Sequence, residues 1–120
     1  KAHWYQSGQK LSEINYKYGK HDGLLTVWYE NGQWRRTGNH LDGKMVGIWT
    51  HWYENGQQRD EIFYMGGYMN SAIVWKPNGE QCSMTDVKAG NGMMVKYKED
   101  GTDWLRISFK EGVMTHWRRP

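Results

Sequence analysis

Two hexapeptides of this sequence are identical and lie 24 residues apart: Trp28-Tyr29-Glu30-Asn31-Gly32-Gln33 and Trp52-Tyr53-Glu54-Asn55-Gly56-Gln57. Related segments begin at Trp4, Trp75 and Tyr97, so the starts at 4, 28, 52, 75 and 97 are spaced by 24, 24, 23 and 22 residues. Self-similarity at a short, nearly fixed period is typical of repeat architectures. The five units fill the chain and predict one repeat domain over residues 1–120.

Each unit has two glycine-containing turns separated by short stretches rich in Val, Ile, Thr, Tyr and Trp, a composition typical of β-strands. No stretch is long enough, or periodic at 3.6 residues, to form an amphipathic helix. We therefore predict an all-β fold, an elongated and twisted antiparallel β-meander of about five tandem β-hairpin repeats of 22 to 24 residues, with ten or eleven strands. The glycines of the first turn in each unit are Gly8, Gly32, Gly56, Gly79 and Gly101.

The length of the first turn decides which side chains share a face. A three-residue loop Glu30-Asn31-Gly32 pairs Trp28 with Trp34, and strict alternation then places Leu24 and Thr26 on one face with Gly38 and His40. Pro77 supports this loop, because it falls at the second position of a type I turn, where its fixed φ is favourable.

Stacking of the units aligns equivalent side chains into columns, and we predict that three columns form the core. The first column comprises Trp4, Trp28, Trp52, Trp75 and Tyr97. The second comprises Ile14, Gly38, Ile62, Thr85 and Ile107, and the third comprises Tyr16, His40, Tyr64, Val87 and Phe109.

The opposite face is the predicted binding face, because Tyr and Arg are enriched among the residues that dominate protein interfaces. Its candidate partner-binding residues are Tyr5, Tyr29, Tyr53, Arg35, Arg59, Trp49, Lys76, Lys98 and Trp104. Leu11 and Cys82 belong to the same columns. The alternative interpretation is a solvated face on which guanidinium groups stack on tyrosine rings.

Composition excludes several classes of protein. The 120 residues are 38% hydrophobic and 15% aromatic, which is unlike a disordered tail. No apolar run approaches the roughly 20 residues of a transmembrane helix. Cys82 is the only cysteine, so an intrachain disulfide and a thiolate zinc site are excluded. The net charge of +3 is mildly basic and does not indicate a dedicated nucleic-acid binder.

No motif indicates catalysis, a metal or a cofactor. The five histidines, which are His3, His21, His40, His51 and His116, lack a chelating spacing. Cys82, Ser83, Asp60 and Glu61 lie in strand patterns without a surrounding catalytic motif. The glycine-rich stretch 89–92 precedes no helix, so it is interpreted as a turn. We predict a protein that is not an enzyme and needs no cofactor.

The hexapeptides, together with Asp42-Gly43-Lys44 and Gly47-Ile48-Trp49 between them, resemble the bacterial variant of the MORN repeat, often labelled antitoxin-type. The resemblance covers essentially the whole chain and is specific in the first three units. The fourth unit departs from the pattern at Lys76-Pro77-Asn78 and at Ala89-Gly90-Asn91. The family implies a twisted sheet of successive hairpins without catalytic machinery. It also implies a scaffold for other proteins, sometimes with lipid contacts, and its label implies neutralisation of a partner.

The sequence is compatible with three functions. The favoured one is a module that binds another protein, as a scaffold or in an antitoxin-like or immunity-like role. The alternative is a binder of single-stranded nucleic acid or of an anionic lipid surface, indicated by the pI of about 9.0 and by alternating aromatic and basic residues. The third is a sugar binder or small hydrolase, indicated only by Trp content. Self-association through open sheet edges is also expected, although Trp117-Arg118-Arg119-Pro120 would suit a terminal cap.

Overall fold

The fold is seen in a computed structural model that describes residues 1–119. Eleven strands form one open antiparallel sheet in which spatial order follows chain order, which confirms the predicted all-β hairpin meander. Pro120 of the predicted cap lies outside the described residues. The strands are β1 (Ala2–Trp4), β2 (Lys10–Lys17), β3 (Lys20–Trp28), β4 (Trp34–Leu41), β5 (Lys44–Trp52), β6 (Gln58–Met65), β7 (Tyr68–Val74), β8 (Asp86–Lys88), β9 (Asn91–Tyr97), β10 (Asp103–Lys110) and β11 (Val113–Arg118).

The first turn of every unit is the predicted three-residue loop. The N–H of Tyr29 donates to the carbonyl oxygen of Gln33 at 2.8 Å, and the N–H of Gly32 donates to the carbonyl oxygen of Tyr29 at 3.0 Å. The same two bonds recur in the other four units, where Tyr5, Tyr53, Lys76 and Lys98 take the place of Tyr29. Gly32 has a φ of +89°, a left-handed conformation that a residue with a Cβ rarely adopts.

The second turn of every unit is a two-residue type I′ turn. Both central residues have positive φ, as in Asp42 (+52°) and Gly43 (+81°). The first position is held by Tyr18, Asp42, Gly66, Ala89 and Glu111. These turns set the right-handed twist of consecutive hairpins.

A β-bulge next to the first turn corrects the predicted register in four of the five units. Trp28 pairs with Trp34 as expected, but Val27 pairs with Arg36, which leaves Arg35 as the extra residue. The shift puts Leu25, rather than Leu24, opposite Gly38. Equivalent shifts occur at Leu11, Arg59 and Trp104. The prediction that Leu24 and Thr26 share a face with Gly38 and His40 is therefore wrong, because strict alternation does not survive a bulge.

The sheet is strongly curved. Eleven strands spaced by about 4.8 Å would extend about 48 Å if flat, whereas the longest dimension of the protein is 37 Å. The hairpin loops of the third and fifth units meet, since the N–H of Glu54 donates to a carboxylate oxygen of Glu99 at 3.0 Å. Val27 of β3 and Lys96 of β9 line one cleft although five strands lie between β3 and β9. The face that carries both residues is therefore concave.

The core lies on this concave face. Its larger part is formed by β6 to β10, by Tyr53 of the loop after β5 and by Cys82 of the segment after β7, and its smaller part by Ile14, Leu25 and Trp49. Ile62 and Ile107 are buried, as is Tyr97, and Tyr64 and Phe109 pack against the larger cluster. These residues belong to the predicted columns.

The tryptophan column is not the core that the sequence predicts. Trp4 is 57% exposed, Trp28, Trp52 and Trp75 are half-buried, and Tyr16 is exposed. The bulges send Trp28 and Trp52 to the side opposite Leu25 and Ile62. Gly38 interrupts the isoleucine column, because the indole of Trp49 occupies the space that a side chain would fill.

Within residues 1–119 the structure contains no helix that is long and apolar enough to cross a membrane.

Candidate functional site

The three tyrosines of the predicted binding face connect neighbouring units. The hydroxyl groups of Tyr5, Tyr29 and Tyr53 donate to the carbonyl oxygens of Trp28, Trp52 and Trp75 at 2.6, 2.7 and 2.6 Å. Burial is the main cause that raises the pKa of Tyr29 and of Tyr53, so both hydroxyls remain donors. Tyr53 is 1% exposed. These tyrosines hold the repeat together rather than presenting a free surface.

The other predicted partner-binding residues are dispersed. Trp49 is 1% exposed and donates from Nε1 to the carbonyl oxygen of Asn39 at 3.1 Å, so its assignment to a surface is wrong. Lys76 lies over the ring of Tyr97, with 5.8 Å from Nζ to the ring centroid. Lys98 is exposed at a hairpin loop, and Trp104 is an exposed bulge residue. The structure does not bring these four residues to one place.

Arg35 and Arg59, in contrast, line one cleft on the concave face. We call this cleft the basic cleft; its volume is about 370 Å³ and its lining residues are Val27, Arg35, Arg36, His51, Arg59 and Lys96. Arg35 is the bulge residue beside Arg36, and Arg59 is the bulge residue beside Asp60. Because a bulge re-aims a side chain, the consecutive residues Arg35 and Arg36 both reach the cleft. The repeat motif thereby concentrates cations at one place.

One carboxylate lies beneath the cleft and is fully engaged. The side chain of Asp60 is 2% exposed; its Oδ1 lies 2.6 Å from Nδ1 of His51, and its Oδ2 accepts a hydrogen bond from Nε of Arg59 at 3.2 Å. Burial alone would raise the pKa of Asp60, but the His51 hydrogen bond and the charges of His51, Arg59 and Lys96 outweigh it and lower the pKa below 3.8. Asp60 is therefore ionised and anchors two residues of the cleft wall.

The remaining cations of the cleft lack such partners. Within residues 1–119, neither the guanidinium groups of Arg35 and Arg36 nor the ammonium group of Lys96 makes a hydrogen bond or ion pair. Arg35 lies over the ring of Tyr29, 5.4 Å from its centroid. Burial and the neighbouring arginines lower the pKa of Arg36, and burial and Arg59 lower the pKa of Lys96. Both shifts report positive charges that are held close together and partly out of water.

The opposite side of the sheet carries exposed apolar side chains. We call it the convex face and define it by one residue from each of five consecutive strands: Leu24, Trp34, Ile48, Phe63 and Ile73. All five are exposed, and Ile48 reaches 61%. Ile48 pairs directly with Phe63, and the ring of Trp34 lies 5.4 Å from the ring of Trp52 in an edge-to-face arrangement. Large apolar side chains are thus exposed on five consecutive strands of this face.

Polar groups on the convex face are mostly neutral or paired. A row of threonines crosses it, in which Thr26 pairs with Thr37 and Thr37 pairs with Thr50. The next residue of that row, Glu61, accepts a hydrogen bond from Gln58 at 2.6 Å. The cations of the basic cleft lie on the other side of the sheet. The structure thus separates the exposed Trp34 from the main cluster of cations.

Residues 1–119 show no arrangement that indicates catalysis or metal binding. No group of three or more His, Cys, Asp or Glu side chains in this part of the chain is placed to hold a metal ion. Cys82 is buried, and its Sγ contacts the hydroxyls of Thr85 and Tyr97 at 3.4 and 3.1 Å. Neither a histidine nor a carboxylate is bonded to Cys82 as a nucleophile would require.

Sequence reasoning missed the residues that define both surfaces. The sequence does not identify Arg36 and Lys96 as residues of the basic cleft, because their convergence depends on a bulge and on the curvature of the sheet. The sequence does not identify Ile48 and Phe63 as residues of the convex face, because the register shift exchanges the two faces. The recurrent Gln-x-Arg sequence at 33–35 and 57–59 marks both bulges, but it does not show which face the arginines join.

Comparisons of this chain with protein-family models, with curated proteins and with solved structures find no match. The resemblance to the MORN variant therefore rests on the repeat motif alone.

Proposed function

We propose that this chain is a non-enzymatic interaction module that binds another protein through its convex face. The observation that carries the proposal is the exposure of large apolar side chains on five consecutive strands, from Leu24 in β3 to Ile73 in β7. Large apolar side chains that cluster on one exposed face mark interaction sites in soluble proteins. Trp34 supplies the aromatic anchor that dominates such interfaces energetically.

A protein fits this surface better than an anionic polymer or membrane does. Its central polar groups are threonine hydroxyls and the hydrogen-bonded Glu61, which do not attract phosphates. A binder of single-stranded nucleic acid combines aromatic stacking with cations on one surface, whereas here Trp34 and Arg36 lie on opposite sides. We infer a folded partner with a complementary apolar patch, which is compatible with a scaffold or an antitoxin-like role.

Site-specific photo-cross-linking tests the proposal. A photoreactive phenylalanine analogue is placed at Ile48 on the convex face and, as a matched control, at Tyr18, which is 94% exposed in the turn between β2 and β3. We expect a cross-linked protein only from position 48. That protein is then purified and its affinity is measured with the wild type and with Ile48→Lys, for which a loss of at least tenfold is expected.

Two results would refute the assignment. Equal cross-linking from positions 48 and 18 would show that the convex face is not selective. Unchanged affinity of Ile48→Lys would show that the partner binds elsewhere. Because Ile48 is largely exposed, the variant should keep the wild-type melting temperature, and sedimentation analysis distinguishes a second copy of the chain from a different partner.

A further inference from the structure

The basic cleft carries more positive charge than neighbouring carboxylates neutralise. Four cationic side chains, Arg35, Arg36, Arg59 and Lys96, line it, and within residues 1–119 Asp60 is the one carboxylate paired with residues of its wall. Glu54 and Glu99 lie farther out, at the meeting hairpin loops, where Glu99 accepts the N–H of Glu54. Since like charges brought together partly out of water destabilise a fold, an uncompensated cluster indicates a site kept for an anion.

The geometry favours a phosphate over a carboxylate. Arginine guanidinium groups present planar pairs of donors that match phosphate oxygens, and lysine adds a point charge. Arg59 already donates from Nε to Asp60, which orients its guanidinium, while Arg36 and Lys96 have no bonded partner within residues 1–119. A dianion neutralises the excess positive charge better than a single carboxylate does. The cleft therefore has both an oriented donor and free donors.

The size and shape of the cleft further restrict the class of ligand that it can bind. A volume of about 370 Å³ lies within the range of small-molecule sites and exceeds that of a bare phosphate ion. Val27 supplies an apolar part of the lining. The cleft lies on the concave face of a curved sheet. The flat surface of a bilayer cannot approach the residues of a concave face closely. A soluble molecule can enter it.

We propose that the basic cleft is a binding site for a small soluble organic phosphate, with the phosphoryl group held by Arg36, Arg59 and Lys96. This site is independent of the proposed protein interface, because it lies on the opposite side of the sheet.

Calorimetric titration of the purified chain tests the site. The probes are inorganic phosphate and glycerol 3-phosphate, with glycerol as the uncharged control and sodium chloride at equal ionic strength as the electrostatic control. We expect binding of both phosphates, tighter for glycerol 3-phosphate, and no binding of glycerol. Arg36→Gln and Lys96→Gln should each weaken binding about tenfold, the loss expected for one charge-assisted contact. Lys88→Gln, at an exposed position outside the cleft, should bind like the wild type.

Thermal unfolding without ligand gives a second readout. Because Arg36 and Lys96 repel Arg59, Arg36→Gln and Lys96→Gln should unfold at the same temperature as the wild type or higher. Loss of phosphate binding together with unchanged or increased stability distinguishes a binding residue from a structural one.

Three outcomes would overturn the proposal. The first is the absence of glycerol 3-phosphate binding above the sodium chloride control. The second is wild-type affinity in both glutamine variants. The third is binding only to phosphatidylcholine vesicles that contain phosphatidic acid, or only to a single-stranded oligonucleotide, which would assign the cations to a surface rather than to this cleft.

Discussion

The hydroxyl of Tyr53 donates a 2.6 Å hydrogen bond to the carbonyl oxygen of Trp75, which lies 22 residues later in the next repeat unit. Tyr29 makes the same bond one unit earlier, and Tyr5 makes it two units earlier. In the repeated Trp-Tyr pair, the tyrosine of one unit thus bonds the tryptophan backbone of the next. Duplication of the motif also duplicates the contact that joins its copies, as nearest-neighbour repeat architectures require.

Replacing Tyr53 by phenylalanine removes this bond while keeping the ring. We expect Tyr53→Phe to lower the free energy of unfolding by about 1 kcal/mol, since a buried carbonyl loses its hydrogen-bond donor. Urea denaturation followed by tryptophan fluorescence measures the change. Tyr18→Phe is the control, because Tyr18 is 94% exposed and its loss should have no effect. Equal stability of the two variants would contradict the structural role of Tyr53.

Gly38 is required by the indole of Trp49 rather than by backbone conformation. A Cβ at Gly38 would overlap that ring, and Gly38 is not in the left-handed region. We expect Gly38→Ala to cost about 1–3 kcal/mol of stability through overpacking. In Gly38→Ala/Trp49→Leu the smaller side chain makes room for the methyl group. The double variant should then be more stable than the sum of the single effects implies, and strict additivity in urea denaturation would refute the contact.

The repeat period and the turns were predictable from sequence because they depend on local chemistry. The residues at 28–33 specify a three-residue loop through the left-handed glycine and through Asn31, whose Oδ1 accepts the N–H of Gln33 at 2.9 Å. Such signals repeat five times along the chain. A meander of hairpins follows directly from them, and the structure confirms it.

The faces were less predictable, because a bulge residue beside a first turn inverts the alternation. The Gln-x-Arg sequence recurs at both arginine bulges but does not show by itself that Arg35 is an extra residue, and the insertion of Arg35 moves Leu24 to the exposed side. The basic cleft depends on the same bulges and also on the curvature that brings Lys96 to Arg59. Curvature results from the packing of the whole sheet and is not encoded in any single unit.

Ala89 occupies a turn position that favours a different residue. Its φ is +51°, at the first position of a type I′ turn, where asparagine and glycine are preferred. We expect Ala89→Asn to stabilise the protein by about 0.5–1 kcal/mol by removing part of the left-handed strain. The matched variant Gly90→Ala should destabilise it, because Gly90 has a φ of +82° and a Cβ would meet the backbone of Gly112. Differential scanning calorimetry compares the two, and a lower melting temperature for Ala89→Asn would contradict the turn assignment.

Asp60 should make the stability of the protein depend on pH in the acid range. Its pKa in the folded protein is lowered from the ordinary aspartate value of about 3.9 that the unfolded chain has. The stabilisation is therefore complete above the unfolded pKa and is lost as the pH falls through the unfolded pKa and then through the folded pKa, because the unfolded chain takes up the proton first. We expect Asp60→Asn to be less stable at neutral pH and to lose less stability than the wild type between about pH 5 and pH 2.

His51→Gln separates the causes of this effect without removing the carboxylate. Burial raises the pKa of Asp60, and the His51 hydrogen bond is the largest influence that lowers it. The variant should therefore have a higher Asp60 pKa, which carboxyl-carbon NMR titration measures directly, and a weaker loss of stability in acid. Asp86→Asn, at an exposed position, should leave the acid profile unchanged. A wild-type Asp60 pKa in His51→Gln would show that Arg59, bonded to the other carboxylate oxygen, is sufficient to keep Asp60 ionised.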